Sequence, residues 1–370
     1  MHDKFRIIVW GPGGLGGVAI WEVAHLDSLD LVGVRAFSPD KVGLDAGELV
    51  GIPALGVAAT DDVASLLALD ADCVIYTPRD FGINNADAEL LAILEAGHNV
   101  VTPLPYQNAV LYRTDGFGDR IAEACAKGGS TFHATGIDPD LISDRVLMAM
   151  TGICTDVTSI RLRELWDCYA VPAELLAVVG FGGPVESAEA SPIGPAISTN
   201  FLHAIGRTVQ KTLGLTYDRV EETHEYLPAS TDVAMLYTKV EKGSLGRVVH
   251  RFKGWVDSIG PKPFFTMEYH WVVGPSELPD GVAENEYWVA EIEGTPSIRM
   301  SIDMRTTLQN NAARTYDFGS LQSSPGYHGT IAPCLQAIPH VVSSGPGVLP
   351  SFGPGLTWRA DLRATPAGVH

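Results

Sequence analysis

The sequence predicts two architectures in one chain: an α/β domain on a doubly wound parallel sheet, followed by an α+β domain with a mostly antiparallel sheet. Three observations predict it. Phe5 to Ala24 joins an apolar, β-branched run to a glycine-rich turn and a helical segment. From there to Gly136, apolar strands alternate with helical stretches, the pattern of a parallel sheet with right-handed crossovers. Beyond residue 150 the strands lengthen, and several alternate apolar with polar residues, as in Arg247-Val248-Val249-His250-Arg251-Phe252. That period of two belongs to an antiparallel sheet with one wet face.

The first element, Phe5-Arg6-Ile7-Ile8-Val9-Trp10, reads as a buried parallel strand. The next residues, Gly11-Pro12-Gly13-Gly14-Leu15-Gly16, fit G-x-G-x-x-G. Gly11 permits the tight turn, Gly13 lets a pyrophosphate approach the backbone, and Gly16 lets the helix lie close on the strand. The helix start then offers free N–H groups to phosphates. A chain with 39 glycines meets this pattern by chance, so the flanking strand and helix carry the reading: a Rossmann dinucleotide-binding domain. The second strand, Leu29 to Ala36, lacks an acid at its end and offers Arg35, Phe37, Ser38 and Lys41 instead. A carboxylate there binds a ribose 2′-hydroxyl, whereas cations and a hydroxyl suit a 2′-phosphate. The expected cofactor is NADP(H), with NAD(H) admitted if Arg35 and Lys41 are merely solvated loop charges.

Helices are expected at Val63 to Leu69, Asn85 to Gly97 and Phe117 to Lys127, and strands at Asp72 to Pro78, Asn99 to Pro103 and Ser130 to Gly136. Ligands bind at the carboxyl ends of such strands. Beside Gly11, Pro12, Gly13, Gly14, Leu15 and Gly16, that assigns Thr77, Pro78, Thr102, Pro103, Gly136 and Asp138 to the cofactor; Asp138 alternatively caps a helix opening at Pro139. After a helix at Leu141 to Met150, strands are expected at Val157 to Trp166, Val233 to Glu241, Gly246 to Ser258, Thr266 to Val273, Tyr287 to Gly294 and Ser297 to Thr306, with helices at Ala173 to Val179 and Ser198 to Leu213. Gly329 to Val342 reads as an apolar helix packing back on the first domain, and the Gly- and Pro-rich tail from Gly345 as irregular. The domains are therefore 1–145, 146–325 and a C-terminal segment 326–370.

A net charge of −19 argues against nucleic acid or an anionic membrane as partner, but not against an anionic cofactor that needs only a local positive field. No apolar run reaches membrane-spanning length, and Met1-His2-Asp3-Lys4 leads directly into the first strand. The five cysteines are scattered without a C-x-x-C pair, which points to reduced thiols, a cytoplasmic protein and no metal. The pairs Cys154/Cys168 and His224/His250 lack a metal-ligand spacing, and no Ser-His-Asp order, P-loop or H-E-x-x-H is present. A cleft between two such domains would hold substrate. Its candidate lining is Glu164, Trp166, Tyr169, Asn200, Phe201, His203, His270, Arg305, Thr306 and Thr307, each weighed against a plain packing or solvated role. The acidic surface and long strands predict a homodimer through the second domain.

The glycine loop and Lys41-Val42-Gly43-Leu44-Asp45-Ala46-Gly47-Glu48-Leu49 resemble the N-terminal domain of dihydrodipicolinate reductase-like proteins. Thr135-Gly136-Ile137-Asp138-Pro139-Asp140-Leu141-Ile142-Ser143-Asp144 is similar to a segment of their 2,4-diaminopentanoate dehydrogenase branch, which includes native amine dehydrogenases. The resemblance covers the first domain and is looser in the second, where Gly206-Arg207-Thr208 to Glu221-Glu222 and the aromatics Trp166, Tyr169 and Phe201 carry it. It implies hydride transfer between NADPH and an amine or carbonyl compound, with ammonia as co-substrate. The dipicolinate motif H-H-x-x-K-x-D-A-P-S-G-T has no counterpart here. The glutamate such amine dehydrogenases carry after the strand ending at Thr102-Pro103 is also missing, the place reading Leu104-Pro105-Tyr106-Gln107. Either another group, such as Glu164 or Tyr106, takes its role, or the proton and ammonia are handled differently. Two rival readings are an NADPH-dependent reductase of C=C, C=N or C=O bonds that uses no ammonia, and a non-enzymatic NADP sensor.

Overall fold

The computed structural model describes residues 4–79, 84–106, 113–282, 286–309, 315–318 and 321–350. The chain divides into two units, one of Met1–Leu141 with Thr306–Phe352, the other built on Ile142–Arg305.

The first unit opens with β1 (Phe5–Trp10), α1 (Gly14–His25), β2 (Leu29–Arg35), α2 (Ala46–Val50), β3 (Ala59–Thr60), α3 (Val63–Leu67), β4 (Cys73–Tyr76), α4 (Asp87–Glu95), β5 (Asn99–Thr102), α5 (Phe117–Gly128) and β6 (Thr131–Ala134). Successive side chains of a strand point to opposite faces, and β1 shows both faces filled. Ile7 and Val9 join Val18, Ile20 and Val23 of α1 in one core. Ile8 and Trp10 join Leu90, Ile93 and Leu94 of α4 and Ile121 of α5 in the other. Each large side chain buried this way contributes about 1.5–3 kcal/mol. Two faces covered by helices are what makes the apolar runs continuous.

The second unit holds α6 (Leu147–Thr151), β7 (Val157–Asp167), α7 (Ala173–Val179), α8 (Val185–Glu189), α9 (Ile193–Ile197), α10 (His203–Leu213), β8 (Arg219–Pro228), β9 (Val233–Ala234), β10 (Lys239–Val240), β11 (Leu245–Trp255), β12 (Phe265–Val272), β13 (Glu286–Gly294) and β14 (Ile298–Asp303). Its six-stranded sheet runs β14-β13-β7-β12-β11-β8, antiparallel except between β7 and β12. The chain then returns to the first unit with β15 (Tyr316–Phe318), β16 (Leu321–Ser323), α11 (Pro325–Ser343) and β17 (Gly347–Val348). Ile331, Cys334, Ile338 and Val341 of α11 enter the same core as α1. The parallel sheet is thereby seven-stranded, in the order β17-β6-β5-β4-β1-β2-β3. Among the described residues no helix is long and apolar enough to cross a membrane.

Four local expectations change. Val233 to Glu241 is not one strand but the two-residue strands β9 and β10, joined by a turn in which Met235 N–H donates to Thr238 O at 2.9 Å. No Gly or Pro marks that turn, so the apolar pattern reads straight through it. β8 carries three charged residues among its first four and so hides as a strand; charges are typical of an edge that must not pair further. The helices expected at Leu141 and Ser198 both begin with a wider π-helical turn, Leu141–Val146 and Ser198–Leu202. The tail is not wholly irregular, because β17 pairs in parallel with β6; residues 351–370 lie outside the described part.

One face of the six-stranded sheet is charged. Glu268, nearly buried, accepts from Arg161 (2.6 Å) and Arg251 (2.6 Å), which also reach Glu291 and Glu225. Burial pushes this carboxyl up, but the His270 ring and the two guanidiniums outweigh burial and hold it well below the ordinary 4.5. A depressed carboxylate stabilises the fold fully above its unfolded value, and the contribution fades as pH falls through the folded value. Glu268→Gln is expected to cost about 2–3 kcal/mol at pH 7, less than for a fully buried pair because Arg161 is half exposed. The deficit should shrink below pH 4.5; urea denaturation at pH 7 and pH 3 checks both.

Candidate active site

The glycine loop carries its three roles visibly. Gly11 turns the chain at φ +94°, a conformation that favours glycine, and its N–H donates to Arg35 O at 3.0 Å. A Cβ on Gly13 would meet nothing within 4 Å, so the space before this residue is open. A Cβ on Gly16 would instead overlap the Gly11 carbonyl oxygen and stand 2.7 Å from Thr77 Oγ1. Thr77 explains the tightness: its hydroxyl lies 3.0 Å from both Trp10 O and Gly11 O and braces the loop against the end of β4. The start of α1 has no side-chain cap and no acid in its first turn, leaving its N–H groups available to an anion. Tyr327 of α11 lies where a Gly14 side chain would go, 2.7 Å from that position. Nothing local in the sequence marks this contact, which joins residues far apart in the chain.

Two cations attend the loop. Lys41 Nζ donates to Pro12 O at 2.7 Å, so its charge stands at the glycine turn rather than in solvent. Arg35 stacks over Phe37 at 4.4 Å and donates to Ala36 O, while its buried Nε meets no acceptor among the described residues. Ser38 is exposed and precedes the turn Pro39–Lys41. Asp45 explains the next segment. Its carboxylate accepts from Gly47, Leu55 and Gly56 N–H, each at 2.8 Å. The Leu55 N–H above all holds its pKa below the usual range. Asp45 is a loop clamp.

The other strand ends are more inward. Thr102 is fully buried, its hydroxyl donating to Tyr76 O at 2.8 Å and accepting from Leu104 N–H. Pro78 backs Gly11, and Pro103 lies 3.5 Å from a Gly136 Cβ position. Thr135 Oγ1 donates to Asp140 at 2.5 Å, fixing the bend that Asp138 occupies. No helix opens at Pro139; the first turn is Leu141–Val146, so Asp138 does not cap one there. Tyr106 is 5% exposed, packed against Phe117 and Phe132, and its hydroxyl donates to Asp87, which Arg113 grips in turn. Its hydroxyl is thus engaged inside the core of the first unit. Gln107 lies outside the described residues.

In the second unit the register sorts the candidates. Tyr269 pairs with Glu164 and Trp271 with Trp166 across β12 and β7, and Trp288 of β13 pairs with Glu164. These residues therefore share a face. Trp271 Nε1 donates to Glu164 at 3.0 Å. Trp166 meets Trp271 edge-on at 5.3 Å, Tyr269 stacks with Trp271 at 6.0 Å, and Phe201 meets Tyr269 at 6.2 Å. The result is an aromatic wall with one carboxylate in it. His270 does not belong to it. Between Tyr269 and Trp271 it faces the opposite way, 3.7 Å from Glu268 on the charged face. The sequence reading missed Tyr269 and Trp271 for the same reason: it took the neighbour with the polar ring.

The remaining candidates scatter. Tyr169 follows β7 in a short turn, its carbonyl accepting from Leu236 N–H at 3.0 Å. Asn200 is buried and donates to Ala196 O. Arg305 is tied to Asp303 at 2.8 Å, and Thr306 and Thr307 lie past the end of β14. His203 pairs with Glu222 at 2.6 Å.

Residues 141–352 match the family model of the 2,4-diaminopentanoate dehydrogenase C-terminal domain. The chain is 28% identical over 352 residues to an amine dehydrogenase of Streptomyces virginiae, covering 92% of this chain and 93% of that one. It is 22% identical over 355 residues to the 2,4-diaminopentanoate dehydrogenase of Acetoanaerobium sticklandii, covering 94% and 92%. Among solved structures, that of an amine dehydrogenase from Mycobacterium smegmatis superposes with a TM-score of 0.76 at 21% identity, over 97% of this chain and 99% of the other.

Proposed function

The chain belongs to the 2,4-diaminopentanoate dehydrogenase family, and from that premise we propose that it is an NAD(P)-dependent amine dehydrogenase, interconverting an amine with a ketone or aldehyde plus ammonia. The observation that carries the amine reading is the carboxylate in the aromatic wall, Glu164 held by Trp271. An iminium or ammonium is a cation, and aromatic faces with one carboxylate stabilise a cation. Reduction of a C=C or C=O bond passes through no iminium. The amine and diaminopentanoate dehydrogenases among the relatives, aligned over more than nine-tenths of the chain, support it.

A nicotinamide dinucleotide fits the loop: the space at Gly13 is open, Lys41 waits at Pro12, and Arg35 has a buried N–H to satisfy. When bound, it supplies the hydride. The N–H groups of α1 and Lys41 would take the pyrophosphate, and Arg35 with Ser38 the 2′-phosphate, which makes NADP(H) the preferred form and NAD(H) the weaker one. Arg35→Ala is expected to raise the KM for NADPH about 10- to 100-fold, the loss of one charge-assisted hydrogen bond, and to leave NADH nearly unchanged. Equal effects in steady-state assays with the two cofactors would overturn the assignment.

The test of the reaction is NADPH oxidation against a panel of ketones and aldehydes, with and without ammonium. Turnover should require ammonium and rise with pH, because free ammonia is the nucleophile. Ammonium-independent turnover points to the plain reductase instead. The same reading includes a homodimer through the second unit, supported by the mixed charges on its sheet face, for which light scattering should give twice the 39.5 kDa chain mass. Five buried, unbridged thiols support a reducing, cytoplasmic setting.

A further inference from the structure

Four side chains of the second unit form an unbroken polar line. His203 Nε2 lies 2.6 Å from Glu222 Oε2, Glu222 Oε1 lies 2.7 Å from His224 Nε2, and His224 Nδ1 lies 2.8 Å from His250 Nδ1. His203 opens α10, Glu222 and His224 share one face of β8, and His250 stands opposite His224 on β11. Exposure falls inward, from 34% for the His203 side chain through 25% at Glu222 and 20% at His224 to 1% for His250. At its inner end the His250 ring meets Trp271 edge-on at 6.1 Å, and Trp271 is the residue that holds Glu164. Gly194 of α9 leaves the room: a Cβ there would come within 3.1 Å of His250 Cε1 and overlap the Tyr226 hydroxyl.

Hydrogen-bond bookkeeping fixes what the line can do. Glu222 accepts an Nε2–H from both His203 and His224. Neutral His224 then has a lone pair at Nδ1, so His250 donates its Nδ1–H. A proton arriving through Glu222 reaches His224 at Nε2, so His224 takes it in the tautomer that carries its own proton on Nδ1; there His224 is the donor, and His250 must offer a lone pair and carry its own proton on Nε2. A proton passed from Glu222 to His224 Nε2, from His224 Nδ1 to His250 Nδ1, and from His250 Nε2 to an oxygen on the wall side, of water or substrate, makes one bond for each one broken. No charge is left on the buried ring.

We propose that His203–Glu222–His224–His250 is a proton-exchange chain linking solvent to the aromatic wall that carries Glu164. Its use rests on the amine reading above. In the reductive direction, carbonyl, ammonium, NADPH and one further proton give ammonium-form amine, NADP+ and water, so each turnover draws a proton beyond the one that ammonium brings. Burial, and then the charge of His224, push His250 down to about 4, so it passes protons without keeping one at neutral pH. The groups facing it are His224, Glu222 and Tyr226 on β8, with Glu189 of α8 acting on Tyr226 and Glu164 beyond Trp271. His250 is a positioning and relay residue.

Nuclear magnetic resonance of the full chain with 15N-labelled histidine, between pH 5.5 and 8, reads the relay without any turnover. The His250 proton is expected to move from Nδ1 to Nε2 as the pH is lowered; a single His250 tautomer at every pH overturns the proposal. In turnover, Glu222→Gln should lower kcat at least about tenfold, leave the KM values for NADPH and carbonyl unchanged, and be relieved by imidazole buffers in proportion to their basicity. An unchanged kcat, or a loss no buffer relieves, also overturns it. Should that variant fail to fold, His203→Gln at the exposed outer end gives the same readings. Ammonium-independent turnover by the wild type would instead refute the amine reading and leave the tautomer result standing.

Discussion

Gly13→Val should leave a folded first unit that no longer binds dinucleotide, whereas Gly16→Val should cost the unit its stability. The two glycines lie three residues apart but meet different surroundings. Valine at 13 puts its branches into open space, so nothing in the fold resists it. That space lies in front of the free N–H groups of α1, and two hydrogen bonds to a charged phosphate are worth about 3–6 kcal/mol together, or about 10²- to 10⁴-fold in affinity. Valine at 16 drives into the Gly11 carbonyl and the Thr77 hydroxyl, both fixed, and overpacking against backbone exceeds the usual 1–3 kcal/mol. Thermal melts and fluorescence titration with NADPH separate the cases. Wild-type affinity in Gly13→Val would move the site elsewhere.

Glu164→Gln should lower kcat about 10²- to 10³-fold, within the range for a positioned ionisable group, with NADPH affinity retained. The amide oxygen still accepts from Trp271 Nε1, so the wall keeps its shape and only the charge is lost. A fall in kcat without a change in melting temperature places the carboxylate beside the cation. Wild-type turnover would make Glu164 simply the anchor of Trp271. Tyr106 is a weaker second choice, because its hydroxyl already serves Asp87 in the core.

The first unit was legible because its signals are local. Strand, glycine turn and helix follow one another within twenty residues, and Lys41 reaches Pro12 across only 29 positions. The second unit resisted because its contacts are not local. Glu164 and Trp271 are 107 positions apart. β12 is buried over most of its length on both faces, so alternation of apolar and polar residues gave no sign that His270 points away from Trp271. β8 went unread because its charges obscure the period of two, yet it supplies Glu222 and His224. The C-terminal helix was found in spite of Pro333 and Pro339 inside it, since its apolar stripe outweighs them.

That helix and the two-residue strand β17 have a consequence for the order in which the protein is made. Synthesis proceeds from the amino end, and domains ordinarily close as they emerge. Here Tyr327, which fills the place beside Gly14, emerges more than three hundred residues after the glycine loop, and β17 later still. Until then one core lacks Ile331, Ile338 and Val341, and the β6 edge of the sheet is open. A fragment cut at Leu141 would retain the glycine fingerprint and remain an unfinished domain, with an apolar flank and an unpaired strand where the returning chain belongs.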